Sequence, residues 1–170
     1  MVTNAALPAD TESAAWAALR AVADPEIPVL SVVDLGVIRH VSCTATGELE
    51  VGLAPTYSGC PATAVIRANV IAALRAAGFE QLSVVDVLAP AWTSDWLSAE
   101  GRQKLERYGI APPNETVNSP RAIWRPTLPV RCPRCESTDT QELSHFGSTP
   151  CKALYRCKAC LEPFEYFKCI

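Results

Sequence analysis

Two pairs of cysteines near the C-terminus constrain this chain more than any other feature. Each pair has the spacing C-x-x-C, and residues 136–156 lie between the pairs. The first pair is Cys132 and Cys135, and the second pair is Cys157 and Cys160. Two such pairs, here called the hooks, can surround one tetrahedral metal ion with four thiolates. The sequence therefore predicts a C-terminal zinc ribbon, in which the ion stabilises a module too small for a hydrophobic core of its own.

The hooks also indicate the metal and the compartment. Zinc is the expected ion for a closed site of four thiolates, although tetrahedral iron accepts the same ligands. Six of the 8 cysteines fall between Cys132 and Cys169, whereas a secreted disulfide scaffold would spread them through the chain. We therefore expect a reducing compartment, the cytoplasm. The first ten residues lack Lys, Arg and a long apolar run, so no secretory signal is expected. No stretch approaches the roughly 20 apolar residues of a membrane span.

The remaining cysteines and the histidines leave alternatives open. Cys43 is predicted to be a buried structural thiol in a strand. Cys151 and Cys169 could be spare ribbon thiols or could help to hold a second metal ion, with His145 as a substitute ligand. Four cysteines already complete one tetrahedral site, so these residues are not assigned to it.

Proline content divides the chain. The segment 111–129 contains five prolines, which remove amide donors and hold the backbone extended. We therefore predict an α/β domain over residues 1–110, a proline-rich linker over 111–129 and a zinc ribbon over 130–170. Trp124, within the linker, is an apolar anchor that could dock on the main domain.

Apolar periodicity in the first 110 residues predicts helix, hairpin, helix, strand and helix in that order. This order indicates the α/β (α+β) class, with helices packed on a small mixed sheet. The predicted helices cover 11–23, 62–77 and 98–108, and the predicted strands cover 37–44, 48–53 and 82–88. In the tail, strands are predicted over 142–146, 154–156 and 164–167.

The loop from Ala54 to Pro61 carries the most reactive residue of the first domain. Cys60 lies at the predicted start of a helix, where free amides and the helix dipole stabilise a thiolate. Gly59 would allow a partner to approach the backbone, and Thr56 and Ser58 add hydroxyls. The equally weighted alternative is that Thr56 or Ser58 caps the helix and Cys60 is a small buried apolar residue.

Two further clusters have functional and structural interpretations. Asp24 and Glu26 lie on either side of Pro25 and could present their carboxylates to a metal or a partner. The favoured alternative is that this segment stops the first helix and forms local turns, including one at Asp34. The two tryptophans at 92 and 96 could close a pocket, but core packing plus a helix cap from residues 93–95 is slightly favoured.

Three stretches of the first domain resemble the α/β domain of iron–sulfur cluster assembly factors of the SufT and MIP-type family. The resemblance covers about residues 12–113. Its motifs are 24–28 with 34–36, Thr56-x-x-x-Cys60-Pro61, and 92–96. Combined with the cysteine-rich tail, the whole chain resembles the PaaD family, whose members belong to bacterial phenylacetyl-CoA oxygenase (1,2-epoxidase) systems.

The resemblance implies an accessory subunit, not an enzyme, that assists assembly or repair of iron–sulfur or di-iron centres in aerobic phenylacetate degradation. It implies oxygenase and reductase subunits as partners. Cys60 would handle a transient iron ion or iron–sulfur cluster, with Thr56 beside it and Asp24 and Glu26 near the same opening. Because one thiol cannot enclose a cluster, a homodimer, a partner's ligands or small thiols would complete the site.

Three other functions compete with this one. The chain could be a structural scaffold of the oxygenase complex, using its aromatic residues as an interface. It could be a thiol enzyme with Cys60 as nucleophile, although neither histidine has an evident route to that residue. It could be a nucleic-acid-binding ribbon, but a net charge of −3 disfavours that function. The basic residues available for it in the tail are Arg131, Arg134, Lys152, Arg156, Lys158 and Lys168.

Overall fold

The elements of the first 110 residues follow the order that the apolar periodicity predicts, which is helix, hairpin, helix, strand and helix. The structure is a computed structural model, and it describes residues 9–57, 59–114 and 129–168. The chain divides into two units between Trp92 and Thr93. The sequence-based boundaries at 110 and 130 stay predictions. Most of the predicted linker, including Trp124, lies outside the described residues, as does Cys169.

The first unit is a mixed three-stranded sheet with two helices. Its helices are α1 (Ala9–Arg20) and α2 (Ala62–Ala76), and its strands are β1 (Ile38–Cys43), β2 (Leu49–Leu53) and β3 (Leu82–Asp86). The strand order is β1-β2-β3, with an antiparallel β1–β2 pair and a parallel β2–β3 pair. The α2 helix lies between the two parallel strands in sequence, because such strands cannot be joined by a tight turn.

Apolar residues of the central strand and of both helices form the core of this unit. Leu49, Val51 and Leu53 alternate along β2 and are buried, as the sequence pattern predicts. The α1 helix packs against α2 and β1. The buried helical residues recur at helical spacing, and they are Ala15 and Leu19 in α1 and Ile66, Val70 and Leu74 in α2.

A glycine ends α2 and returns the chain to the sheet. Gly78 has a left-handed backbone with φ of 95°, which glycine adopts without a steric penalty. Its amide donates to the carbonyl of Arg75, and the amide of Phe79 donates to that of Leu74, both at 3.0 Å. These are the two bonds of a Schellman motif, and they satisfy carbonyls at the helix end.

The second unit contains the ribbon and the third helix. Its elements are a 3₁₀ turn (Ser94–Trp96), α3 (Ala99–Tyr108), β4 (Ile110–Ala111), β5 (Thr140–Ser144), β6 (Lys152–Cys157) and β7 (Pro163–Phe167). The strands form one sheet in the order β4-β7-β6-β5. β6 is antiparallel to both neighbours, and the two-residue β4 is parallel to β7. β4 was not predicted from the sequence, because two residues carry no periodic signal.

Ser98 begins the third helix. Its hydroxyl accepts a hydrogen bond from the amide of Gly101 at 2.9 Å, and Gly109, with φ of 88°, ends the helix. The expectation that residues 93–95 cap this helix was wrong, because those residues begin the separate 3₁₀ turn.

Within the described ranges, every helix is too short or too polar to cross a bilayer.

Candidate metal centre and the Cys60 loop

The four hook cysteines converge in the structure. Their sulfur atoms all lie within 4.8 Å of one another. The Sγ atoms of Cys132 and Cys160 are 3.8 Å apart, and those of Cys135 and Cys157 are 3.5 Å apart. Tetrahedral zinc with sulfur ligands at about 2.3 Å requires S–S separations of about 3.8 Å. The donor set and its spacing therefore fit one tetrahedral ion.

Both hooks have the same backbone construction. The amide of Cys132 donates to the carbonyl of Ser137, and the amide of Cys157 donates to that of Glu162, both at 2.9 Å. The residue after each hook has a left-handed backbone, with φ of 62° at Glu136 and 65° at Leu161. Residues with a Cβ rarely adopt this conformation, so the backbone is strained at the residue that follows each hook.

Each hook contributes one buried and one exposed cysteine. Cys132 and Cys157 are fully buried, whereas Cys135 and Cys160 are exposed. The buried pair belongs to an apolar cluster with Ala111 of β4, Val130 and Phe164. Tyr155 stacks on Phe164 at a ring separation of 5.9 Å and flanks the same cluster. The short β4 strand thus supplies part of the apolar support beneath the thiols.

Two of the hook cysteines, Cys157 and Cys135, have pKa values shifted in opposite directions. The amide of Cys160 donates to the Cys157 sulfur at 3.4 Å, and this bond is the main reason that the pKa of Cys157 is lowered to about 7. The backbone near Ser137 lowers the pKa of Cys135, but hydrogen bonds with the Cys160 and Cys157 thiols and burial outweigh it and raise that pKa to about 12.

Acidic side chains accompany the basic residues around the hooks. Arg134 pairs with Glu162 at 2.6 Å, and Lys158 pairs with Asp139 at 3.3 Å. Arg131 lies 3.9 Å from Glu136. All of these side chains are largely exposed, so the pairs contribute little to stability, but they neutralise positive charge at this surface.

One ion pair of the ribbon is buried. The Lys152 ammonium donates to Glu165 Oε2 at 2.7 Å, and these side chains are only 5% and 24% exposed. The other carboxylate oxygen accepts from the Ser148 amide at 2.7 Å, which fixes the turn before β6. Lys152 was expected to be a surface cation. It is buried instead, and no local pattern could show this, because Glu165 lies on the neighbouring strand.

Cys60 lies at the surface end of α2. Cys60 itself is half-buried, Gly59 and Pro61 beside it are exposed, and Pro61 immediately precedes the helix. The Cys60 amide donates to the carbonyl of Tyr57 at 3.2 Å, and its carbonyl accepts from the Thr63 amide at 3.2 Å. A one-turn bend therefore holds the cysteine at the helix start. Ser58 lies outside the described residues.

Asp24 and Asp34 stabilise turns with their carboxylates. Asp24 is buried and accepts hydrogen bonds from the amides of Glu26 at 2.9 Å and Ile27 at 2.7 Å. Asp34 accepts from the amide and hydroxyl of Ser31 at 2.9 and 2.8 Å. These bonds are the turn chemistry that was the favoured alternative.

The structure does not gather the other predicted site residues into a metal site. Among the described residues, the hooks are the one set of three or more His, Cys, Asp or Glu side chains that could hold an ion. Cys60, Asp24 and Glu26 do not form such a set together. Glu26 and Thr56 are half-buried.

The Trp92 indole is part of the core of the first unit. The residue is 4% exposed, and its Nε1 donates to the carbonyl of Leu35 at 2.9 Å. Core packing was the favoured interpretation of this residue, and the structure agrees with it. Trp96 is half-buried.

Cys43, Cys151 and the two histidines contact nearby residues outside the hooks. Cys43 is half-buried on β1 and lines a cavity of about 200 Å³ with Phe79 and neighbouring residues. Cys151 is buried, with its sulfur 3.1 Å from the Thr149 hydroxyl. His40 lies 3.2 Å from Glu50, and its ring packs where a side chain on Gly52 would collide with it. His145 lies 3.5 Å from Glu142.

Comparison with known proteins identifies the family. The chain is 50% identical over 155 residues, 91% of each chain, to a protein of Escherichia coli (strain K12) that is provisionally named as one of the subunits of 1,2-phenylacetyl-CoA epoxidase. The PaaD zinc beta ribbon domain matches residues 117–168, and the iron-sulfur cluster assembly protein domain matches residues 12–87. The chain belongs to the PaaD family.

Two more distant relatives match the assembly domain of this PaaD-family chain. An Fe-S protein maturation auxiliary factor of Porphyromonas gingivalis (strain ATCC BAA-308 / W83) is 35% identical over 88 residues, covering 51% of this chain and 83% of that protein. A crystal structure of a domain of unknown function (DUF59) from Bacillus anthracis has a TM-score of 0.52 at 26% identity, covering 56% of this chain and 92% of that chain. The predicted fold class, an α+β domain with a zinc ribbon, is confirmed.

Proposed function

We propose that this protein assists the assembly or repair of a metal centre in a phenylacetyl-CoA epoxidase system. Cys60 is the exchangeable ligand for the transferred iron or iron–sulfur cluster, and the four hook cysteines bind a structural zinc ion. The observation that carries this proposal is the 50% identity, over 91% of both chains, to a protein named as part of such an epoxidase. The match of residues 12–87 to the iron-sulfur cluster assembly family supports the maturation role.

Zinc suits the hooks because four thiolates leave no coordination position open. A closed site of this kind is structural, and the bound ion supplies a cross-link between the two hooks. The apolar cluster beneath Cys132 and Cys157 supports the hooks from one side only, since Cys135 and Cys160 are exposed. We therefore assign the folding of the ribbon to the combined effect of the ion and this cluster.

Cys60 differs from the hook cysteines because it is a single thiol and lies at the start of a helix. It is a single thiol at the start of a 15-residue helix, whose dipole favours a negative group at that end. Gly59 and Pro61 on either side are exposed, so a partner can reach it. One thiol leaves most coordination positions of the cargo open, and the cargo can pass to stronger ligands. Thr56, Asp24 and Glu26 remain proposed neighbours of this transfer site.

The proposed partners are the oxygenase and reductase subunits of the epoxidase system, with an accessory and non-catalytic role for this chain. A second copy of the chain would supply a second Cys60 thiol while the cargo is held. The proposed location is the cytoplasm, since thiolates that bind a metal require reducing surroundings.

Replacement of Cys60 by Ala tests the transfer role. The oxygenase and reductase subunits are co-produced with either the wild-type chain or the variant, and their iron content and epoxidation activity are measured. We expect normal zinc content in the variant chain but less iron in the partner subunits. Cys43→Ala is the matched control, because Cys43 is also a half-buried single thiol, and it should leave iron loading unchanged. Unchanged iron loading with Cys60→Ala would refute the proposal.

A scaffold role is the second candidate, and exposed apolar side chains favour it. Leu88 is exposed in the first unit, and Leu143, Phe146 and Leu161 are exposed in the second. Aromatic side chains such as Phe146 are enriched at protein interfaces, whereas single exposed leucines are normal on protein surfaces. Co-purification of the complex with Cys60→Ala separates the roles: a scaffold predicts intact binding with full iron loading, and transfer predicts intact binding with reduced loading.

The ion pairs around the hooks weigh against the nucleic-acid function. Arg131, Arg134 and Lys158 each lie beside an acidic side chain, and Lys152 is buried against Glu165. Nucleic-acid affinity depends on cations that are available to phosphate, so this surface is poorly suited to it. A salt-dependent mobility shift with random oligonucleotides would contradict this conclusion.

A further inference from the structure

The hook cysteines are arranged as two pairs of unlike sulfurs. Two sulfur contacts, of 3.8 Å and 3.5 Å, each join an exposed cysteine of one hook to a fully buried cysteine of the other hook. Exposed Cys160 contacts buried Cys132 at 3.8 Å, and exposed Cys135 contacts buried Cys157 at 3.5 Å. We propose that peroxide-class oxidants oxidise this quartet to disulfides that run across the hooks, from Cys135 to Cys157 and from Cys160 to Cys132, with release of the zinc ion. This inference rests on the proposed binding of zinc.

Exposure decides which sulfur reacts first. Hydrogen peroxide reaches Cys135 or Cys160 from solvent, while Cys132 and Cys157 are fully buried. The exposed thiolate attacks one peroxide oxygen and the O–O bond breaks. With uptake of one proton, the products are a sulfenic acid and one water molecule. Two electrons pass from sulfur to peroxide in this step.

Proximity decides which sulfur resolves the sulfenic acid. The buried thiolate of the opposite hook attacks the oxidised sulfur, an S–S bond forms, and hydroxide leaves. For Cys135 this partner is Cys157, whose sulfur lies 3.5 Å from that of Cys135. The first disulfide leaves two thiolates, which cannot complete a tetrahedral site.

The sequence makes the products separable by trypsin. Cleavage after Arg and Lys places the four hook cysteines on the separate peptides 132–134, 135–152, 157–158 and 159–168. The proposed disulfides join 135–152 to 157–158 and 132–134 to 159–168. The other pairing across the hooks would join 132–134 to 157–158 and 135–152 to 159–168. A disulfide within a hook joins 132–134 to 135–152 or 157–158 to 159–168. Because 135–152 also contains Cys151, a Cys151→Ser variant confirms the assignment.

Zinc-loaded full-length protein is titrated with hydrogen peroxide, and zinc release to a chromogenic chelator is measured beside peptide mapping after alkylation. We expect loss of about one zinc per chain, with the two cross-hook peptide pairs as the first disulfides. Cys60→Ser should give the same products, since Cys60 takes no part.

Five results would overturn the inference: disulfides within the hooks as first products, disulfides in the other pairing across the hooks, retained zinc, zinc loss with sulfinic acids but no disulfide, or altered products with Cys60→Ser. Protein purified without zinc would overturn the proposed zinc site as well. Zinc-loaded protein that fails the mapping leaves the transfer role of Cys60 intact, because that role is tested by iron loading of partners.

Discussion

The buried Lys152–Glu165 pair should contribute more to the stability of the ribbon than any surface ion pair around the hooks. Glu165→Gln keeps the size of the side chain but removes its charge, which leaves the Lys152 ammonium buried at 5% exposure beside a neutral amide. Breaking a buried pair in this way costs about 3–5 kcal/mol. Because Glu165 is 24% exposed, water screens part of the interaction, and we expect about 3 kcal/mol.

Guanidinium unfolding of zinc-loaded protein at fixed free zinc, followed by circular dichroism, measures this cost. The matched control is Glu162→Gln, which removes the exposed partner of Arg134 at 2.6 Å and should cost less than about 1 kcal/mol. Lys152→Met in the Glu165→Gln background should recover most of the loss, because it removes the unpaired buried charge. Equal small costs for the two Gln variants would refute the reasoning.

The same pair gives a pH signature. Burial raises the pKa of Glu165, but the bonds from Lys152 and Ser148 outweigh it, and the net pKa is lowered. A carboxylate whose folded pKa lies below its unfolded value of about 4.3 stabilises the fold above that pH, and this contribution is lost as the pH falls through the folded pKa. The stability difference between wild type and Glu165→Gln should therefore be constant near neutrality and shrink below about pH 4.

Three further measurements test the hooks and the core. Leu161→Gly should stabilise the ribbon by about 1 kcal/mol in chemical unfolding, because φ is 65° there, whereas Leu161→Ala retains the Cβ and should give no gain. Trp92→Phe should cost about 2 kcal/mol, because the buried carbonyl of Leu35 loses its donor, and zinc content should stay unchanged. Removing zinc with a chelator should expose the amides of β6 and β7 to hydrogen exchange while those of β2 stay protected, and uniform exchange in all three strands would contradict this.

Local signals were sufficient to predict most elements of the fold. The helical spacing of apolar residues identified the helices, and Gly78 marked the end of α2. Alternation identified β2 between polar turns. The hook spacing alone identified the four sulfurs that converge within 4.8 Å. The helix spacing, the strand alternation and each C-x-x-C pair are encoded within a few residues, which is why a single sequence reveals them.

Features that depend on pairing between distant segments could not be predicted. The β4 strand is two residues long and exists because its backbone adds to β7, more than fifty residues later. The Lys152–Glu165 pair requires the register of β6 on β7. The alternation of buried and exposed sulfurs across the hooks depends likewise on the apolar cluster that β4 completes.

The contrast between the two kinds of cysteine argues for separate tasks in one chain. A four-thiolate site is coordinatively complete, so an ion bound there is held for structure and is a poor donor to another protein. A metal carrier needs the opposite arrangement, with ligands strong enough to bind the cargo but too few to retain it. Cys60 is half-buried, and within the described residues it does not belong to a set of three or more potential ligands, which fits the proposed carrier role. If the quartet is the part sensitive to oxidation, peroxide should unfold the ribbon without consuming Cys60, and the proposed transfer would then fail although the Cys60 thiol stays intact. Alkylation of Cys60 after mild oxidation distinguishes these causes: a reactive Cys60 in zinc-depleted protein assigns the failure to the ribbon, and an oxidised Cys60 assigns it to the carrier thiol itself.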